Sequence, residues 1–183
     1  GAVVARLQGA SASGAPPWIS YNGGSPGYLG AVYKPYQPDG GNLRLVGSMT
    51  ADRLKSRTNL LVSLDRIRRD VDSSGQMEAM DAFTQRAVDV VTSGQVADAL
   101  DLKKEDPKIR QRYGGSGNNF LLARRLVERG VPFVEVSLNG VQGTQAFGWD
   151  THQKTFEGVK ALSGVLDPGW ATLMEDLQSR GLL

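Results

Sequence analysis

Between Asn119 and Leu138 the chain runs directly from an amphipathic helix into an apolar strand, and this pairing constrains the fold most. Leu122, Ala123, Leu126 and Val127 recur at helical spacing and predict one inward stripe on a helix from about Asn119 to Arg129. Gly130 follows as a C′ residue, free to take the left-handed conformation that ends helices. Pro132-Phe133-Val134-Glu135-Val136-Ser137-Leu138 comes next, mostly apolar, the pattern of a strand covered on both faces. A sheet flanked by helices provides such cover. The expected class is therefore α/β. The strand near Phe133 to Leu138 is expected at the centre of the sheet, with the helices around Leu122 and Leu173 beside it.

In α/β proteins the chemistry gathers beyond the C-terminal ends of strands. Here a Gly/Gln-rich loop, 139–147, leads into Gly148-Trp149-Asp150-Thr151-His152. His152 is the single histidine in 183 residues, and cysteine is absent. The lack of cysteine excludes disulfides, thiol catalysis and Cys-based zinc sites. Asp150 offers a hard oxygen and His152 a borderline nitrogen, a pair able to bind one divalent metal ion such as zinc, manganese or iron. Positions 150 and 152 project to one side if the loop is locally extended. A catalytic zinc takes about three protein ligands, so this pair needs a further ligand. Glu135 lies inside the strand and Glu157 a turn into the next helix, and neither is the expected third ligand. The competing reading is structural: Asp150 caps the following helix and His152 occupies its first turn.

The remaining elements follow from their punctuation. A helical turn from Ala2 ends near Gly9, and Trp18-Ile19-Ser20-Tyr21 reads as a short strand. Asn22 to Gly27 and Tyr113 to Asn119 are Gly-rich, but neither carries a phosphate-loop pattern, so both read as structural turns. Tyr28 to Asn42 reads as a surface loop, and Leu43 to Val46 as an edge strand. Thr50 is an N-cap for a helix over about Ala51 to Asp72, with Leu60, Leu61, Leu64, Ile67 and Val71 as its stripe. A second helix runs from about Gln76 to Thr92, with Met77, Met80, Phe83, Ala87 and Val91 on one side. The two are expected to pair as a hairpin. Val96 to Leu100 and Pro107 to Tyr113 are short helices. Two helical stretches follow His152, the second starting near Asp167-Pro168, with Trp170, Leu173, Met174 and Leu177 as its apolar face. The expected organisation is one partial domain over 1–183, with a helical insertion at about 51–112 and a helix–strand–loop–helix unit at about 118–183.

Charge points away from nucleic acid: 21 basic and 19 acidic side chains leave a formal charge of only +2. The basic residues of the Ala51–Asp72 helix alternate with aspartates, as on a solvated face. No apolar run approaches the ~20 residues of a membrane span.

Several segments together resemble a known family. Phe120 to Val136, then Gly148 to His152, then Leu173-Met174-Glu175-Asp176-Leu177-Gln178-Ser179-Arg180-Gly181-Leu182-Leu183, closely resemble the bacterial domain of unknown function 1501 family. Ser25 to Ala31, Met80 to Phe83 and Arg112 to Gly114 are similar to it as well. The family is common in planctomycetes and is described as sulfatase-like, within the alkaline phosphatase superfamily. The resemblance implies a mostly parallel sheet flanked by helices and hydrolysis of sulfate or phosphate esters at metal ions. It also implies an exported or periplasmic protein, with Asp150 and His152 in the position of one Asp/His ligand set. The chain is expected to be an internal piece of such a protein. The Cys/Ser-x-Pro-x-Arg signature that sulfatases modify does not occur in it. This piece alone is therefore expected to lack hydrolase activity. The other function implied is that of a non-catalytic relative recognising a sulfated polysaccharide or a protein partner.

Overall fold

The computed structural model describes residues 1–11, 14–38, 49–64, 76–115, 117–138, 140–141 and 148–183, without the side chains at 62, 64, 76–83 and 86. These residues form seven α-helices and a two-stranded parallel sheet, which is broadly the α/β class expected. The expected strand at Leu43 to Val46 lies outside the described residues. The chain divides into two compact units, one of Gly1–Leu100 with Val127–Glu135, the other of Asp101–Leu126 with Val136–Leu183.

In the first unit the sheet pairs β1 (Ile19–Ser20) with β2 (Val134–Glu135), Ile19 opposite Val134 and Ser20 opposite Glu135. The Ile19 amide donates to Phe133 O at 3.0 Å and the Tyr21 amide to Glu135 O at 3.3 Å. On its other edge the Ser20 amide donates to Tyr36 O at 3.1 Å, and the Tyr36 amide to Trp18 O at 2.9 Å. Ile19 and Ser20 are fully buried. β1 is thus central, whereas β2 and the run to Leu138 are only half-buried. This corrects the expectation that the apolar Phe133–Leu138 run would be the central strand. Among the described residues β2 pairs on one side, while β1 bonds on both and is sealed by Trp18, whose ring meets Phe133 edge-on at 6.4 Å.

The same unit holds α1 (Ala2–Gln8), α2 (Ala51–Leu64), α3 (Gln76–Ser93) and α4 (Gln95–Leu100). Thr50 caps α2, its hydroxyl accepting from the Arg53 amide at 3.2 Å. α2 and α3 contact each other, as a hairpin requires. The contacts expected of Leu64, Ile67, Met80 and Phe83 lie outside the described side chains. Thr58 is buried, whereas Leu60 and Leu61, two members of the expected stripe, are exposed; Leu64, Ile67 and Val71 lie outside the described side chains. On α3, Val88 and Val90 are buried and Ala87 faces outward.

The second unit holds α5 (Pro107–Tyr113), most of α6 (Asn118–Glu128) and α7 (Thr155–Ser179). Pro107 occupies the first turn of α5, and the Asp106 carboxylate caps it by accepting from the Lys108 amide at 2.7 Å. Tyr113, Phe120, Leu121 and Leu173 form the core, with Leu166, Met174 and Leu177 packed against them. Trp170 and Val127, both read as inward, are exposed. α7 is one continuous helix with Pro168 inside it, not two helices meeting at Asp167-Pro168. The missing amide at Pro168 leaves one carbonyl without its helical donor. Gly169, the next residue, packs against the Phe120 ring and holds the helix in place across that gap. Among the described residues no helix is long and apolar enough to cross a membrane.

Candidate functional site

The Gly148–His152 loop lies on the surface of the second unit, directly before α7. Gly148 takes φ 129°, a left-handed value that glycine adopts freely, and Trp149 is exposed. The loop ends at Lys154, whose φ of 52° and ψ of 42° place it in the left-handed region; this is the N-cap position of α7, and no side chain caps the helix there. The capping reading of Asp150 is therefore not realised: the helix begins at Thr155, and Asp150 and His152 both precede it.

Asp150 and His152 are instead brought to each other. His152 Nε2 lies 3.1 Å from Asp150 Oδ2, with side chains 85% and 87% exposed. Such a surface pair contributes little to stability. Its geometry suits a metal. Two donors on one tetrahedral zinc at about 2.0–2.1 Å stand about 3.3 Å apart. Two adjacent donors on an octahedral ion at about 2.1 Å stand about 3.0 Å apart. The observed spacing falls between these values, so Nε2 and Oδ2 could take one ion in place of their mutual contact after a small adjustment. Among the described residues no group of three or more His, Asp or Glu side chains surrounds such an ion. The pair would fill two positions and leave the others to water, substrate or further ligands.

A second cluster, not foreseen from the sequence, lies inside the same unit. The Glu105 carboxylate accepts from Arg124 and from Arg125, both at 2.7 Å. Arg124 Nε also sits 3.1 Å from Asp176 Oδ2. The Asp176 carboxylate accepts from the Tyr113 hydroxyl at 3.0 Å and from Arg180 Nε at 2.8 Å. Arg124 and Asp176 are almost completely buried. Burial alone would raise the Glu105 carboxyl, but hydrogen bonds from Arg125 and Arg124 outweigh it and hold the group below its usual range. Asp176 is likewise pushed up by burial and held down by Arg180, Tyr113 and Arg124. Burial and the Asp176 carboxylate push the Tyr113 phenol well above its ordinary value. This cluster ties Glu105, α5, α6 and α7 together, and each charge is taken up by an opposite one, as a structural knot requires. Adjacent arginines within the buried part of α6 were the one sequence signal of it. Their partners lie about 20 and 50 residues away, and spacing alone does not find them.

The two Gly-rich turns are held by local hydrogen bonds. The Ser20 hydroxyl donates to Gly23 O at 2.6 Å and accepts from the Asn22 amide at 3.3 Å, which folds the first turn back onto β1. In the second, Gly117 lies against the Tyr113 carbonyl, where a Cβ would not fit, and its own carbonyl accepts from the Phe120 and Leu121 amides. In the first unit Trp18 Nε1 and the Tyr21 hydroxyl are buried without a hydrogen-bond partner. Burial, with a smaller contribution from Tyr36, pushes the Tyr21 phenol well up.

Compared with protein families, the chain matches the one described as Protein of unknown function (DUF1501), over residues 1–183. No curated protein and no solved structure matches it.

Proposed function

The chain belongs to the DUF1501 family, and we propose that in it Asp150 and His152 are metal ligands of a hydrolase acting on sulfate or phosphate esters. The observation that carries this reading is the 3.1 Å approach of Nε2 to Oδ2 in an open loop, at the spacing of two donors on one ion. Three points support it. The pair is exposed, so an ion and an ester both have access. Neither side chain is used to cap α7. In the sequence the loop stands between an apolar strand and a long helix, the order in which α/β chains carry such sites. The resemblance to the alkaline phosphatase superfamily supplies the reaction class.

A divalent ion held by Asp150 and His152 would polarise an ester oxygen and stabilise an anionic nucleophile. The work of this chain is to supply the two donors. Asp150 contributes a negative charge that offsets part of the ion's charge. Neutral His152 contributes Nε2 and leaves Nδ1 free to donate a hydrogen bond. The nucleophile and the remaining ligands belong to residues other than this pair.

Metal content provides the test. The protein is dialysed against Zn2+ or Mn2+, and bound metal is measured by elemental analysis for wild type, Asp150→Asn and His152→Ala. Wild type should retain the ion and both variants should lose most of it, with circular dichroism unchanged because both side chains are exposed. Equal metal in all three proteins would refute the ligand assignment. Turnover of an aryl phosphate or aryl sulfate that does not depend on Asp150 would refute its place in the chemistry.

A further inference from the structure

The loop bearing the Asp150–His152 pair does not hang freely from α7, and the residue between the two carries the attachment. The Thr151 carbonyl accepts from the Thr155 hydroxyl at 3.1 Å, which ties the loop to the first residue of the helix. The chain reaches this position through the left-handed turn at Lys154, whose carbonyl accepts the first helical bond, from the Gly158 amide at 3.0 Å. Thr151 then folds back so that its methyl rests on Gly158: a Cβ added there would lie 3.1 Å from Thr151 Cγ2. That distance is shorter than an ordinary van der Waals contact, so even one methyl at position 158 must displace Thr151 by a few tenths of an ångström. Thr151 has Asp150 and His152 as its immediate chain neighbours, so a displacement there acts on both.

We propose that Thr151, seated on Gly158 and tied by Thr155, is the positioning residue that sets the distance between Asp150 Oδ2 and His152 Nε2. The glycine serves as a socket. Glycine within a helix lowers helix propensity relative to alanine, and here it makes room for the threonine methyl. The contact between Asp150 and His152 involves two exposed side chains and is weak by itself. Their backbone therefore has to hold them together, and metal affinity is sensitive to that kind of support. The inference rests on the proposed ligand role for its consequence in metal binding, but not for its structural content.

His152 is the single histidine of the chain, so its ring protons give one unambiguous set of NMR signals. Without metal, these signals are recorded for wild type, Asp150→Asn, Gly158→Ala and the double variant Thr151→Ser/Gly158→Ala. Gly158→Ala should move the His152 signals toward their positions in Asp150→Asn while leaving or raising the melting temperature, because alanine favours helix. Serine lacks the methyl that the new Cβ displaces, so the double variant should return the signals toward wild type. A pure loss of helix stability would not be rescued in this way. His152 signals unchanged in Gly158→Ala, or changed equally in the double variant, would overturn the proposal. A Zn2+ titration read on the same signals separates the two ideas. Gly158→Ala should weaken binding on the order of tenfold, with recovery in the double variant. If wild type shows no Zn2+-dependent shift at His152, the ligand reading fails, and the metal-free spectra still decide the positioning role of Thr151.

Discussion

Replacing Asp176 with Asn should be among the most destabilising single changes in the second unit. The cluster around it holds three guanidinium groups, Arg124, Arg125 and Arg180, and two carboxylates, Glu105 and Asp176. Asp176→Asn keeps the shape but leaves Glu105 as the carboxylate facing the three cations. Arg124→Met leaves two cations facing two anions. Removing one member of a buried ion pair costs about 3–5 kcal/mol when its partner stays charged. Asp176 is 3% exposed and bonded to both Tyr113 and Arg180, which puts its loss in that range. Arg124→Met should cost less, about 2–3 kcal/mol, because Glu105 keeps Arg125 and Asp176 keeps Arg180. Urea unfolding followed by circular dichroism measures both. With a slope of about 2 kcal/mol per molar, Asp176→Asn should lower the midpoint by about 1.5–2.5 M. The pH dependence has a definite sign. Both carboxyls titrate lower in the folded state, so their contribution is present above about pH 5 and is lost as pH falls through and below about 4. The wild-type midpoint should therefore fall between pH 6 and pH 3, and that of Asp176→Asn should fall less. A loss below about 1 kcal/mol for Asp176→Asn would refute the charge-balance argument, and so would a greater loss for Arg124→Met.

Two further changes test the packing of α7. A Cβ at position 169 would come within 2.7 and 2.8 Å of the Phe120 ring, so Gly169→Ala should cost about 1–3 kcal/mol. The addition of Phe120→Leu should recover part of that loss, and a thermal melt that leaves Gly169→Ala unchanged would show that the ring moves aside freely. Pro168→Ala restores a helical donor within α7 and should stabilise by about 2 kcal/mol, less the entropy that proline removes from the unfolded chain. A lower melting temperature for Pro168→Ala would mean that the proline ring contributes packing of its own.

Local signals in the sequence were read closely where their causes are local. Thr50 before α2, Pro107 in the first turn of α5 and Gly130 after α6 all act through neighbouring backbone groups, and each element starts or stops as they indicate. Trp18 to Tyr21 read as a strand because aromatic and β-branched residues crowd there, and β1 lies within it. The errors came from long-range packing. Apolar character marked Phe133 to Leu138 as central, but a strand's place in a sheet depends on which segments bond to its edges. Leu60 and Leu61 were read from spacing as part of a longer inward stripe, whereas burial on α2 depends on what packs against it. The break expected at Pro168 rested on local cost, and tertiary contacts at Gly169 carry the helix through it. At the candidate site, residue types and spacing singled out Asp150 and His152. That the two meet, and that Thr151 seats on Gly158, followed only from the turn at Lys154, an uncommon backbone conformation for a lysine.

The two edges of β1 differ greatly in how far the chain must travel to satisfy them. Ile19 bridges to Tyr36 across about 17 residues, and to Val134 across about 115. Closing the longer loop costs about 1.7 kcal/mol more in chain entropy than closing the shorter one. During folding, the Trp18–Tyr36 edge can therefore form early within a nascent N-terminal segment. The β2 edge must wait until the chain is complete through residue 135. On a ribosome β1 would leave the exit tunnel long before its partner strand was made, with one edge still unpaired. That interval gives a chaperone, or a second copy of the chain, its opportunity to bind.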